Sequence, residues 1–223
     1  MSVAAVRTRR VILLHGIWMV GATMRWLARR LRQEGFEPEI FGYHSVTGGP
    51  DQALPELARW LQRGEPAHLV GHSLGGLVAV RALSGPGAGE RIGRVLCLGT
   101  PLCGSGAARV LGRNRLAALY MGRSAGILQA GCMTWPPTHE VGMIAGRVPL
   151  GFGALLARFG GEHDGTVAVD ETRAPGLAAH VVVDASHTGL LWSPEAARQA
   201  VLFLREGRFD AGPGGEGGPG APV

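Results

Sequence analysis

The chain has 223 residues, enough for one domain with a well-buried core, and its 46% apolar and 17% charged residues are those of an ordinary globular protein. Its formal net charge of +5 is arginine scattered along the chain, concentrated only at Arg7, Arg9 and Arg10. No basic stripe with interleaved aromatics is present, which argues against a nucleic-acid partner; a weak attraction to anionic membrane surfaces stays open.

Arg10 to Leu14 reads as a buried strand, and its apolar run Val11-Ile12-Leu13-Leu14 is too short for the core of a secretory signal. His15-Gly16-Ile17-Trp18 follows it directly. Met24, Leu27, Ala28 and Leu31 stand at i, i+3, i+4 and i+7, one apolar helical stripe that ends before Gly35. Pro38 to Tyr43 reads as a short strand; Leu54, Leu57, Ala58 and Leu61 repeat the helical spacing, which Gly64 stops.

The next strand starts at Ala67 and runs into Gly71-His72-Ser73-Leu74-Gly75, the G-x-S-x-G pattern of a nucleophile elbow, with helix-like residues from Leu74 to Ala82 behind it. Such a serine sits on a strained strand-to-helix turn that exposes its hydroxyl at the top of a sheet. A side chain at Gly71 or Gly75 would collide with the neighbouring strand and helix. The helix N-terminus supplies free N–H groups and a dipole suited to an oxyanion.

Arg94 to Leu98 reads as a strand leading into Gly99-Thr100-Pro101-Leu102-Cys103-Gly104-Ser105. Residues 105–140 break the rhythm and form a cap-like insertion, where Leu111, Leu116, Leu119, Met121, Ile127, Leu128 and Met133 either line an acyl site or pack as a small helical pair on the sheet. Val141 to Ala145 is another strand, and a Gly-flanked loop then carries His163-Asp164-Gly165-Thr166-Val167. The last strand, His180 to Val183, is followed by Asp184-Ala185-Ser186-His187-Thr188-Gly189. Ser193 caps a final helix with Pro194 at its first position, burying Ala197, Ala200, Val201 and Leu204 and ending at Gly207. Residues 211–223 are Gly- and Pro-rich with nothing to bury, a disordered tail behind a single domain of residues 1–210. Alternating strands and amphipathic helices predict an α/β fold, a mostly parallel sheet of about six strands covered on both faces.

Cys97, Cys103 and Cys132 have no metal-ligand spacing, and their odd number speaks against a disulfide framework. With no membrane-spanning run, the expectation is a reduced, cytoplasmic protein without metal or cofactor. The sequence carries no signal for an oligomeric state.

A serine hydroxyl needs an imidazole to take its proton, and the imidazole needs a carboxylate to set its tautomer. Among eight histidines His187 fits the base, since it follows the last strand beside small residues; His72 and His15 read as supports, and His163 neighbours the acid. His44, His68 and His180 read as surface or strand residues, and His139 as a surface or structural histidine. Asp164 is the expected acid, with Asp170 and Asp184 as alternatives; the backbone N–H groups of Ile17 and Leu74 are the expected oxyanion donors.

The order Ser73, Asp164, His187, together with Leu14-His15-Gly16-Ile17, Gly99-Thr100-Pro101 and His187-Thr188-Gly189-Leu190-Leu191, resembles the small serine lipases and esterases of the α/β-hydrolase superfamily across most of residues 10–206. The chain opens at what would be the third strand of the family's full sheet, which is similar to the minimal lipases. The resemblance implies hydrolysis of a small or medium acyl ester through an acyl-enzyme. Acyl transfer or thioester hydrolysis would use the same triad, and a catalytically silent binding protein on the same fold is the non-enzyme alternative.

Overall fold

The computed structural model describes residues 8–85, 89–106, 108, 121–150 and 161–210. The expected tail and the cap residues Leu111, Leu116 and Leu119 lie outside them. Six strands form one sheet in the order β2-β1-β3-β4-β5-β6, and every pairing is parallel. They are β1 (Arg10–Leu14), β2 (Glu37–Phe41), β3 (Ala67–His72), β4 (Ile92–Leu98), β5 (Val141–Gly146) and β6 (Ala179–Val183). The described helices are α1 (Arg25–Gln33), α2 (Gly49–Leu61), α3 (Leu74–Ala82), the short α4 (Ala125–Gln129) and α5 (Val169–Thr172), and α6 (Pro194–Glu206).

Parallel strands need covered crossovers, so both sheet faces are buried and successive side chains feed opposite cores. Ile12 and Leu14 pack with Leu69, Val95, Leu57, Leu61, Leu77 and Val78 on the α2/α3 face. Val11 and Leu13 pack with Val70, Leu96, Ile144, Leu27, Leu31 and Leu204 on the α1/α6 face. The stripe read for α1 is the buried one, with Met24 contributed by a 3₁₀ turn, Gly21–Met24, just before the helix. In α2 the fully buried line is Ala53, Leu57 and Leu61, while Leu54 and Ala58 are only partly covered. The final helix begins and ends as its sequence requires: Ser193 Oγ accepts from the Ala196 N–H at 3.1 Å, Pro194 opens the first turn, and Gly207 closes it at φ 73°.

Met121, Leu128 and Met133 are buried in the α2/α3-face core and Ile127 packs against it. The described part of the cap-like insertion thus packs on the sheet. It is tied down by Ser124 Oγ–H to the Ser45 carbonyl (2.6 Å), Arg123 N–H to the Val46 carbonyl (3.0 Å) and Met133 N–H to the Leu102 carbonyl (2.7 Å).

The cysteine expectation is overturned. Cys103 and Cys132, 29 positions apart, are joined by a disulfide, and only Cys97 is a free thiol. An odd count left one cysteine over; it did not forbid a bridge between the other two. Cys97 is buried in β4, which pushes its thiol up to about 12 and leaves it inert. Among the described residues no helix is long and apolar enough to cross a membrane.

The chain runs from β1 outward to β2, then returns to place β3 on the other side of β1. The strand order therefore reverses at β1, and it is outside the carboxyl ends of the strands at such a reversal that α/β sheets bind ligands. His15-Gly16-Ile17 and Ser73 stand on the loops leaving the carboxyl ends of β1 and β3.

Candidate active site

Ser73 follows β3 and precedes α3 with φ 53° and ψ −118°, a conformation that a non-glycine residue holds only when its surroundings impose it. The surroundings are tight. A Cβ on Gly71 would stand 2.3 Å from the Gly76 nitrogen, and one on Gly75 would stand 2.4 Å from the Leu14 carbonyl oxygen of β1. The turn thus closes only with glycine at both positions of the motif. The Ser73 N–H extends the ladder to the Leu98 carbonyl at 2.9 Å, which sets the serine beside the end of β4. Leu74 is the first residue of α3, so its N–H has no partner within the helix.

Gly99, next after β4, adopts φ 54°, and a Cβ there would lie 3.1 Å from both Asp164 Oδ2 and His187 Nδ1. The carboxylate and imidazole are hydrogen-bonded at 2.7 Å, both buried, with Asp164 only 1% exposed. Asp164 is itself held: its Oδ1 accepts from the N–H groups of Thr166 (2.9 Å) and Val167 (2.7 Å), and its carbonyl accepts the His187 N–H at 2.8 Å. The carboxylate alternatives lie elsewhere. Asp184 is exposed and pairs with Arg147 Nε at 2.5 Å, which holds its carboxyl below the usual range; Asp170 is exposed on α5. Among the described residues no hydrogen bond joins the Ser73 hydroxyl to the imidazole, a contact that commonly tightens only with substrate.

The loop after β1 lies against the serine, for a Cβ on Gly16 would stand 3.3 Å from Ser73 Cβ. His15 Nδ1 lies 2.9 Å from the Gly16 carbonyl oxygen, and the Met19 N–H approaches the same oxygen at 3.4 Å. In a trans peptide the Gly16 C=O and the Ile17 N–H point in opposite directions, so holding the carbonyl aims the amide. Tyr43, which has no role in the sequence reading, completes the support. Its hydroxyl donates to the His15 carbonyl at 2.7 Å and its ring stacks on the His15 ring at 4.5 Å. Burial raises the Tyr43 hydroxyl and lowers the His15 imidazole, so both are neutral hydrogen-bonding groups. Only the register that sets Phe41 opposite Leu14 could have pointed to Tyr43.

The remaining histidines sort by burial. His68 is buried in β3 and accepts the Arg94 N–H on Nδ1 at 2.8 Å, so it is neither a surface residue nor part of the site. His180 meets the Thr172 hydroxyl at 2.8 Å on the far side of β5. His163 accepts the Gly165 N–H on Nδ1 at 3.2 Å and helps to shape the Asp164 loop.

No protein-family model matches the chain, and no curated protein matches it by sequence. Solved structures do match. The mature form of the Bacillus licheniformis lipase BlEst2 is similar over 92% of this chain and 93% of its own, with 21% identity and a TM-score of 0.72. The pyrethroid hydrolase PytH is similar over 90% and 99%, with 15% identity and a TM-score of 0.62. A Listeria innocua protein, the lin2722 product, is similar over 90% and 95%, with 16% identity and a TM-score of 0.57. The chain has the α/β-hydrolase fold.

Proposed function

We propose that the protein is a serine hydrolase that cleaves carboxylic esters through an acyl-enzyme, with Ser73 as nucleophile, His187 as base and Asp164 as the acid that orients it. The observation that carries this reading is the buried 2.7 Å bond from His187 Nδ1–H to Asp164 Oδ2, made beside a serine held at φ 53°. With Nδ1 committed to the carboxylate, the neutral imidazole turns the lone pair of Nε2 to the site, the form needed to take the serine proton. Attack on the ester carbonyl builds negative charge on its oxygen, and the N–H groups of Leu74 and Ile17 are the donors we assign to it. The protonated His187, stabilised by Asp164, then gives its proton to the leaving alcohol. Water repeats the cycle on the acyl-enzyme and frees Ser73.

The substrate we assign is a small or medium acyl ester. Acyl transfer and thioester hydrolysis would run on the same groups and differ only in acceptor or leaving group. A weak association with membrane surfaces is supported by Trp18, Val20, Leu150 and Trp192, exposed on the loops beyond the carboxyl ends of β1, β5 and β6. The expectation of a cytoplasmic setting rested on the cysteines, on the shortness of the Val11–Leu14 run and on the lack of a membrane-spanning run; the Cys103–Cys132 bond removes the first of these grounds, because structural disulfides persist in oxidising compartments.

The test is covalent labelling with a fluorophosphonate alongside turnover of p-nitrophenyl acetate and butyrate. One adduct, on Ser73, and loss of activity in Ser73→Ala on the order of 10⁶-fold are expected. An adduct on Ser105 or Ser186, or turnover that survives in Ser73→Ala, refutes the assignment.

A further inference from the structure

Residue 187 is held by three hydrogen bonds, and Asp164 makes only two of them. Asp164 takes the His187 backbone N–H at 2.8 Å and the ring Nδ1–H at 2.7 Å. The third is made by His72, whose Nε2 lies 2.9 Å from the His187 carbonyl oxygen. A carbonyl only accepts, so this bond requires the proton on His72 Nε2 and leaves Nδ1 of the neutral ring bare. That bare Nδ1 is buried without a hydrogen-bond partner and faces the loop after β1, 3.0 Å from where a Cβ on Gly16 would stand. An orphaned buried acceptor costs about 1–3 kcal/mol. An apolar residue of similar size would avoid that cost, so packing does not account for a histidine here; its one satisfied polar edge is aimed at His187.

We propose that His72 is a positioning residue that fastens the His187 loop to the nucleophile turn through its Nε2–H bond to the His187 carbonyl. The proposal rests on the reading of Ser73 and His187 as nucleophile and base. The bond spans 115 positions of sequence and joins the residue just before the serine to the backbone of the base. Motion of the His187 loop relative to the elbow must therefore break it. The two rings are 4.8 Å apart, so a charge on His72 would oppose the imidazolium that forms on His187 during turnover. Burial, with the neighbouring His187 second, lowers His72 to about 3 and keeps the ring neutral. His72 thus acts as a fixed donor and carries no proton of the reaction.

The test compares His72→Leu with His72→Gln. The glutamine amide nitrogen reaches the place of Nε2 and can donate to the same carbonyl; leucine fills the space without a donor. Fluorophosphonate labelling rate, kcat and KM for p-nitrophenyl butyrate, and melting temperature are measured on each. Displacing a reacting group by about 1 Å costs up to about 100-fold. His72→Leu should therefore lose roughly 10- to 100-fold in kcat and labelling rate, with KM within about threefold. His72→Gln should recover most of that loss at a similar melting temperature. A merely structural role would let both variants follow their stability, without selective rescue by glutamine. Leucine and glutamine variants of equal activity, or a leucine variant labelled as fast as the wild type, overturn the proposal. If leucine does not fold, His72→Asn replaces it, because its amide is too short to reach the 187 carbonyl. Wild-type protein that takes no label on Ser73 overturns the hydrolase reading and this assignment with it; labelled wild type with an equally reactive leucine variant overturns the assignment alone.

Discussion

Reduction of the Cys103–Cys132 bond, or its removal in a Cys103→Ser/Cys132→Ser double variant, frees a closed loop of 29 positions in the unfolded chain. The chain-entropy relation, with its constant and its logarithm of loop length, assigns that loop about 3.6 kcal/mol at 25 °C. In a protein of this size each kcal/mol moves the melting temperature by about 2–4 °C, so reduction should lower it by roughly 7–14 °C. The native fold should survive the loss. Met133 N–H to the Leu102 carbonyl (2.7 Å) and Ser105 N–H to the Leu128 carbonyl (2.9 Å) hold the same two segments together without it, and Cys103 N–H to the Glu171 carbonyl (2.9 Å) ties the Cys103 loop to α5. Activity well below the melting point should therefore change little while the melting temperature falls. The assay is thermal unfolding with and without dithiothreitol, read beside the intact mass of the non-reduced protein, which should be lighter by two hydrogens. Cys97 is too deeply buried to exchange with the pair. A melting temperature that dithiothreitol leaves unchanged, in protein whose mass shows the bond formed, refutes the reasoning; a mass showing three free thiols refutes the bond.

Asp164→Asn should cost about 10⁴-fold in kcat, the loss seen when a triad carboxylate is made neutral. Asp170→Asn and Asp184→Asn should stay within about threefold, equivalent to less than about 1 kcal/mol; p-nitrophenyl butyrate turnover by the three variants, with melting temperatures matched, decides between the carboxylates. Acid stability should report the buried histidines. Burial, with the nearby Arg94 charge second, lowers His68 from its unfolded value of 6.5 to about 4, so the folded protein binds fewer protons than the unfolded chain. Its contribution is fully present above about pH 6.5 and declines by about 1.4 kcal/mol per pH unit as pH falls towards 4. His68→Asn, whose Oδ1 can take the Arg94 N–H in place of Nδ1, should remove one proton's worth of that slope from unfolding free energy measured between pH 4 and 6.5. An unchanged slope would mean that His68 does not titrate on unfolding.

Features local in the chain are legible from neighbouring residues alone. The unbroken apolar run Val11-Ile12-Leu13-Leu14 has the mark of a strand buried on both faces, and it feeds two cores. Ser193-Pro194 and Gly207 bound the last helix because capping acts within one turn. Gly71-His72-Ser73-Leu74-Gly75 announced the strained turn because only glycines of that spacing admit the close approach of strand and helix. Tertiary structure decided everything that depends on which strands become neighbours. The pairing of β2 and β3 on opposite sides of β1 brings Tyr43 against His15 and Gly16 against Ser73, contacts made across no fixed sequence spacing. Which of Asp164, Asp170 and Asp184 meets His187 follows from which loop reaches the end of β4, where Asp164 bonds the imidazole beside Gly99. Composition could not reveal the disulfide either, because a count of three says nothing of which two cysteines the packed cap and the β4 loop bring together. Long-range pairings arise from the order in which the chain crosses the sheet, and no window of neighbouring residues encodes that order.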